Sequence, residues 1–247
     1  MNRYQCSVGA MLIALLALPV QSQTLQARGI LRSLHQATLS SELAAQIQAI
    51  PYKEGMKFKR GNTLIQFDCS LPRSELTAAQ EQVKIKQSVL QANQELSQFE
   101  SIGQLDLLRS QAEFDQAKAE ANSQSIRVQH CQITAPFTGM VQKLFVAPFE
   151  VASAGQELVS IVDPQSLQIN LLVPSDWLNW VKLNQSFAFS VDETKTTIHA
   201  KIQRILPQVD AVSKTVHLIG AIDNQQSLEK LRPGMSGLAS FEINEKK

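Results

Sequence analysis

Apolar and polar positions follow different periods along the chain, and each period marks a different element. The stretches "EGMKFKRGNTLIQFDC" at residues 54–69 and "CQITAPFTGMVQKL" at 131–144 alternate apolar and polar residues around glycines, and one ends in a cysteine where the other begins with one. Alternation of this kind predicts half-buried strands. Leu64, Ile65 and Phe67 supply the first set, and Val141, Leu144 and Val146 with Leu158, Val159, Ile161 and Val162 the complementary one. Gly55, Gly61, Pro136 and Gly139 are expected at structural turns, Gly139 in a left-handed conformation that a β-branched residue cannot hold cheaply.

Between these halves the period changes to seven. From Pro72 to about residue 100, and from Leu105 to His130, the chain is Ala, Gln, Glu, Leu, Lys and Ser almost without Gly or Pro, which predicts two helices. Pro72 suits a first turn, and Gly103 in "SIGQ" is the interior breaker, so an antiparallel hairpin turns near Ile102, Gly103 and Gln104. In helix one, Leu76, Val83 and Leu90 form one row, and Ala78, Ile85, Ala92 and Phe99 another. Helix two repeats this with Leu105, Ala112, Ala119 and Ile126, and with Leu107, Phe114, Ala121 and Val128. An offset of two residues is about 200° around a helix, so the rows face opposite ways. One row can close the hairpin; the other either tolerates water or needs a partner. At ~1.5 Å per residue each helix reaches on the order of 40 Å.

After Asp163-Pro164 longer alternating runs ("SLQINLLVP", "SFAFSVD", "TTIHAKIQRIL", "TVHLIGAID", "GLASFEIN") predict five to six strands of a small antiparallel barrel, with Trp177 and Trp180 on a short amphipathic helix as plugs. The expected organisation is a leader at 1–22, a first β half with an N-terminal strand at 23–71, the hairpin at 72–130, a second β half at 131–164 and the barrel at 165–247.

Composition narrows the function classes. Over 247 residues, 23 Lys+Arg stand against 22 Asp+Glu with no basic block, which argues against a nucleic-acid partner. Arg3, an apolar run from Val8 to Val20 and the small residues before Gln23 read as a secretory signal cut near Ser22, with an uncleaved membrane anchor as the alternative. Export places Cys69 and Cys131 in an oxidising compartment, where an even pair at equivalent ends of the two β halves predicts a disulfide; two buried thiols are the alternative. The four histidines are scattered and no nucleophile elbow or phosphate loop occurs, so no catalytic residue, metal or cofactor is assigned. Met56-Lys57 superficially resembles a biotinyl site, but the tip that would carry the modified lysine is replaced by the helices, which counts against a lipoyl or biotin carrier.

Taken in order, "EGMKFKRGNTLIQFD", a hairpin containing "AEFDQAKAE", "CQITAPFTGMV", "GQELVSIVDPQSLQINLLVP", "VDAVSKTV" and "LRPGMSGLASF" resemble the HlyD-like periplasmic adaptor subunits, or membrane-fusion proteins. The resemblance covers essentially the whole mature chain. It implies a mainly β fold with an α-helical hairpin: a lipoyl-like β-sandwich split by an antiparallel coiled-coil hairpin and followed by a small β-barrel domain. It also implies a periplasmic, homo-oligomeric ring bridging an inner-membrane transporter, best guessed as the resistance-nodulation-division type, and an outer-membrane channel. The alternative is a free-standing periplasmic structural or binding protein of the same fold. The hairpin tip, Ile102 to Leu105 with Ser110, would meet the channel. Of the Arg, Leu and Ser common at such tips only Ser110 is present, with Phe99 and Gly103 in the other two places. The chain stops after "GLASFEINEKK", which is expected to leave the transporter contact to the barrel or to mean a partner of a different kind.

Overall fold

The structure, a computed structural model, describes residues 24–223 and 230–242; the leader read at 1–22 lies outside them. Eight short strands form two stacked sheets. From the first half come β2 (Gln36–Ser40), β3 (Ala45–Ala49), β4 (Lys57–Phe58) and β5 (Thr63–Phe67); from the second come β6 (Gln132–Thr134), β7 (Gly139–Leu144), β8 (Val151–Ala152) and β9 (Glu157–Val162). The sheets run β2-β9-β7-β4 and β6-β5-β3-β8, so every strand of one half pairs with a strand of the other: β2 with β9, β3 with β8, β4 with β7, β5 with β6. Leu64 and Val141 share one core with Ile47, Phe67, Leu158 and Ile161, each almost wholly buried. Neither half buries its apolar face alone, and closing them on each other supplies the missing layer.

The two halves repeat each other at a constant spacing. Ninety-four positions separate Lys57 from Val151, Gly61 from Gly155, Ile47 from Val141 and Leu64 from Leu158. Hydrogen bonds repeat with the strands: Gly55 N–H donates to the Val141 carbonyl and Phe149 N–H to the Ile47 carbonyl, both at 2.8 Å. Gly55, Gly61 and Gly155 hold φ near +80° in open space, as turn glycines should. Phe149, standing where the first half has Gly55, adopts φ +70°. That conformation costs an L-residue about 1–2 kcal/mol.

The 94-residue spacing also equates the exits. The hairpin leaves between Phe67 and Gln132, and the barrel joins at Val162 and Gln36, so hairpin and barrel are attached at equivalent corners of the sandwich. Asp163, the counterpart of Cys69, accepts the Ser33 hydroxyl on its carbonyl at 2.6 Å and lies with its carboxylate 3.7 Å from His35 Nδ1. One corner is therefore stapled covalently and the other by polar contacts.

The barrel is closed in the order β1-β10-β13-β12-β11-β14, from β1 (Thr24–Ser33), β10 (Leu167–Pro174), β11 (Ser186–Val191), β12 (Thr197–Asp210), β13 (Thr215–Ile222) and β14 (Ser236–Glu242). Only five of these strands come from the region beyond residue 164. The sixth is β1, which pairs with β10 and β14 and belongs to the barrel, not to the first β half at 23–71. Five strands would leave two open edges, and the N-terminal strand removes them. Phe187, Phe189 and Phe241 fill the interior above Gly220 and Gly237, where a side chain would collide with the Phe187 and Phe189 rings. Trp177 and Trp180 meet Phe241 edge-on at 5.5 and 5.9 Å and plug the barrel end; they sit in and just after a short helix of the 3₁₀ type, Ser175–Asn179.

One expected turn residue is relocated. Pro136 lies exposed in a bend, but Gly139 opens β7 opposite Phe58 and has no positive φ. A Cβ there would stand 2.5 Å from the Val162 carbonyl oxygen and 3.1 Å from its carbon, so the residue is required by backbone approach.

Candidate functional site

Among the described residues no group of His, Cys, Asp and Glu could hold a metal ion, and the sandwich is interrupted by the hairpin, α1 (Ser70–Gln98) and α2 (Gln104–Gln129). Its base is tied three ways. Cys69 precedes α1, Cys131 follows α2, and the two are bridged with Cα atoms 6.0 Å apart. Asp68 accepts the Ser70 N–H at 3.0 Å, which holds its carboxyl below the usual carboxylate range. His130 Nδ1 lies 2.8 Å from Glu42 in the β2–β3 loop. The cysteines sit where the helices narrow into β5 and β6, because packed helices ~8–10 Å apart are too distant for most bridged pairs.

The structure decides which row closes the rod. Leu76, Val83 and Leu90 of α1 face Leu107, Phe114, Ala121 and Val128 of α2, and all are buried or half-buried. The interior is polar in its next layer: Lys86 Nζ donates to Glu113 Oε2 at 2.7 Å across the helices, and Arg109 Nε donates to Glu113 Oε1 at 3.1 Å. These two cations hold the Glu113 carboxyl below its ordinary value, Lys86 contributing most. A charged pair that spans the two helices favours one register, since any slip breaks it.

The other row is open to solvent. Ala78, Ile85, Ala92 and Phe99 on α1, and Leu105, Ala112, Ala119 and Ile126 on α2, are all exposed. Helix α1 ends in a Schellman turn: Ser101 N–H donates to the Leu96 carbonyl, Glu100 N–H to that of Ser97, and Glu100 takes φ +54°.

The predicted tip residues divide. Gly103 caps α2 in an extended conformation, Ile102 is half-buried, and Gln104 and Leu105 are exposed in the first turn. Ser110 is not a tip residue. It is buried between the helices and donates its hydroxyl to the Leu107 carbonyl at 2.9 Å, so it cannot touch a partner. Among the groups that do project, beside polar ones such as Glu100, Gln104 and Asp106, are three large apolar side chains: Phe99 at 77%, Leu105 at 78% and Leu108 at 59% exposure. Phe99 was legible as the last member of the outer row; Leu108 belongs to neither row and carried no signal.

Among the described residues no helix is long and apolar enough to cross a membrane. Residues 168–245 match the family model described as the CusB-like β-barrel domain. The chain is 24% identical over 234 residues to the nodulation protein NolF of Rhizobium meliloti, covering 89% of this chain and 63% of that one. It is 24% identical over 224 residues to the multidrug resistance protein MdtA of Photorhabdus laumondii, covering 81% and 56%. The chain thus spans between half and two-thirds of the length of these curated relatives. Two solved structures share the fold: a MacA–MexA chimera containing the Pseudomonas aeruginosa MexA α-hairpin domain, with TM-score 0.79, 20% identity and coverage of 91% and 82%, and the membrane fusion protein Spr0693 of Streptococcus pneumoniae, with TM-score 0.73, 14% identity and coverage of 90% and 99%. The resemblance to periplasmic adaptors of efflux systems holds, and so does the architecture of split sandwich, hairpin and barrel.

Proposed function

We propose that this chain is a periplasmic adaptor that assembles as a homo-oligomeric ring and links an inner-membrane transporter, of the resistance-nodulation-division type, to an outer-membrane channel for the export of small molecules. The observation that carries this reading is the outer apolar row: it runs the length of both helices and is left exposed by the described residues. Exposed apolar surface of this extent marks an interaction face, and copies standing side by side would cover it. The likeness to MdtA and to the adaptor structures supports the export role. The apolar tip of Phe99, Leu105 and Leu108 is suited to a hydrophobic contact with the channel in place of a hydroxyl-mediated one.

Ala112→Cys in the full chain tests the assembly, because Ala112 lies exposed on the outer row. Treatment of intact cells with a short bismaleimide is expected to give a crosslinked dimer, the most that one reactive cysteine per copy can form, and co-purification is expected to recover a transporter. Monomer alone, with no transporter retained, would overturn the proposal in favour of a free-standing periplasmic protein.

A further inference from the structure

The internal repeat makes the sandwich its own control. Residues 52–66 and 146–160 are counterparts with the same turns and the same backbone bonds, so differences between them are not imposed by the fold. Two stand out. At the first left-handed position one copy has Gly55 and the other Phe149, whose ring is 74% exposed and adds nothing to the core. A bulky residue in that conformation without burial to offset it points to use at an interface. Charge also separates: the first copy carries Lys53, Lys57, Lys59 and Arg60 against Glu54, and the second carries only Glu150 and Glu157.

Both differences fall at sheet edges. β4 and β8 are the equivalent edge strands. The turn after β4 bonds to the end of β6 through Gly61 N–H and the Ala135 carbonyl, and the turn after β8 bonds to the end of β2 through Gly155 N–H and the Ser41 carbonyl. The two edges therefore lie on opposite flanks. The β4 edge is guarded by Lys57, in the way edge strands are commonly protected from pairing; the β8 edge presents Val151 at 66% exposure beside Phe149 and has no such guard.

We infer that the β8 flank of one copy docks on the basic β4 flank of the next, with Phe149 as its anchor. Two complementary patches on opposite sides of one chain make a head-to-tail contact, which is the kind that closes into rings. The inference rests on the ring of the preceding section and assigns its sandwich layer: an acidic and apolar flank meets a basic one, with the stems of the lysines available to cover the phenyl ring.

The full chain bearing both Lys57→Cys and Val151→Cys tests this directly. Oxidation is expected to produce a multimer ladder that neither single variant yields. Phe149→Gly is expected to leave thermal stability equal or higher, since glycine suits the turn, and to weaken self-association about tenfold. Val151→Lys, which sets like charges together, should reduce the crosslinked dimer from Ala112→Cys, and adding Lys57→Glu should restore it. If the Ala112→Cys crosslink survives in every variant while the Lys57/Val151 cysteine pair stays monomeric, the ring stands and this contact is overturned. If neither the Ala112→Cys probe nor the Lys57/Val151 cysteine pair gives a crosslinked product in otherwise wild-type protein, ring and contact fall together.

Discussion

Lys86 and Glu113 meet at 2.7 Å across the two helices, at half-buried positions beside the apolar rows that close the hairpin. Because the carboxyl is held below its ordinary value, the folded hairpin binds fewer protons than the unfolded chain at mildly acid pH. Its contribution is complete above the unfolded value near 4.5 and is lost as pH falls through the lower folded value. Thermal melts followed by helical circular dichroism should show the wild type losing stability on acidification through that window. Glu113→Gln should be less stable at neutral pH and nearly flat over the same range. An equal acid slope in both proteins would remove the pair from the account.

The Cys69–Cys131 bridge closes a loop with a sequence separation of 62, for which chain-entropy arithmetic gives about 4 kcal/mol of stabilisation. Replacing both cysteines by serine should lower the denaturation midpoint clearly, with reductant affecting the parent and not the variant. The non-reduced parent should also migrate faster on a gel than the reduced one. Two freely titratable thiols in the untreated protein would show that no bridge forms.

Gly139→Ala should destabilise the sandwich by about 1–3 kcal/mol, because the new methyl meets the Val162 backbone, which cannot rotate away. Gly55→Ala should behave differently, paying only the left-handed backbone cost in open space. Equal losses at both sites, measured by urea unfolding, would contradict the distinction between close approach and positive φ.

Asp210 ties the end of the long β12–β13 hairpin, accepting from Val212 N–H at 3.0 Å, Ser213 N–H at 2.8 Å and the Ser213 hydroxyl at 2.9 Å, and these donors, Ser213 foremost, depress its carboxyl. Asp210→Ala should speed hydrogen exchange at Val212 and Ser213 while leaving barrel-core amides protected. Asp210→Asn should retain part of the protection. Unchanged exchange in Asp210→Ala would mean the turn is held by strand pairing alone.

Much of the molecule was legible from local chemistry. Alternation around Gly55, Gly61 and Gly155 marks strands and turns, the seven-residue rows mark two helices, and two cysteines at matching ends mark a staple, because each of these depends on neighbours a few residues away or on simple parity. What only the folded chain decided are questions of which face meets which. Both rows on α1 have the right spacing to be interior, and the choice of Leu76, Val83 and Leu90 follows from how the disulfide and the strand exits set the rotation of the helices. Ser110 reads as a surface residue until packing turns it inward. Thr24–Ser33 is an ordinary amphipathic strand, and its place in the barrel comes from a closure more than 130 residues away in sequence, with β10 and β14. Gly139 is required by a carbonyl of a strand it does not adjoin in the chain. Period and composition are properties of a segment, whereas burial and close approach belong to pairs of segments, and no segment carries its partner's coordinates.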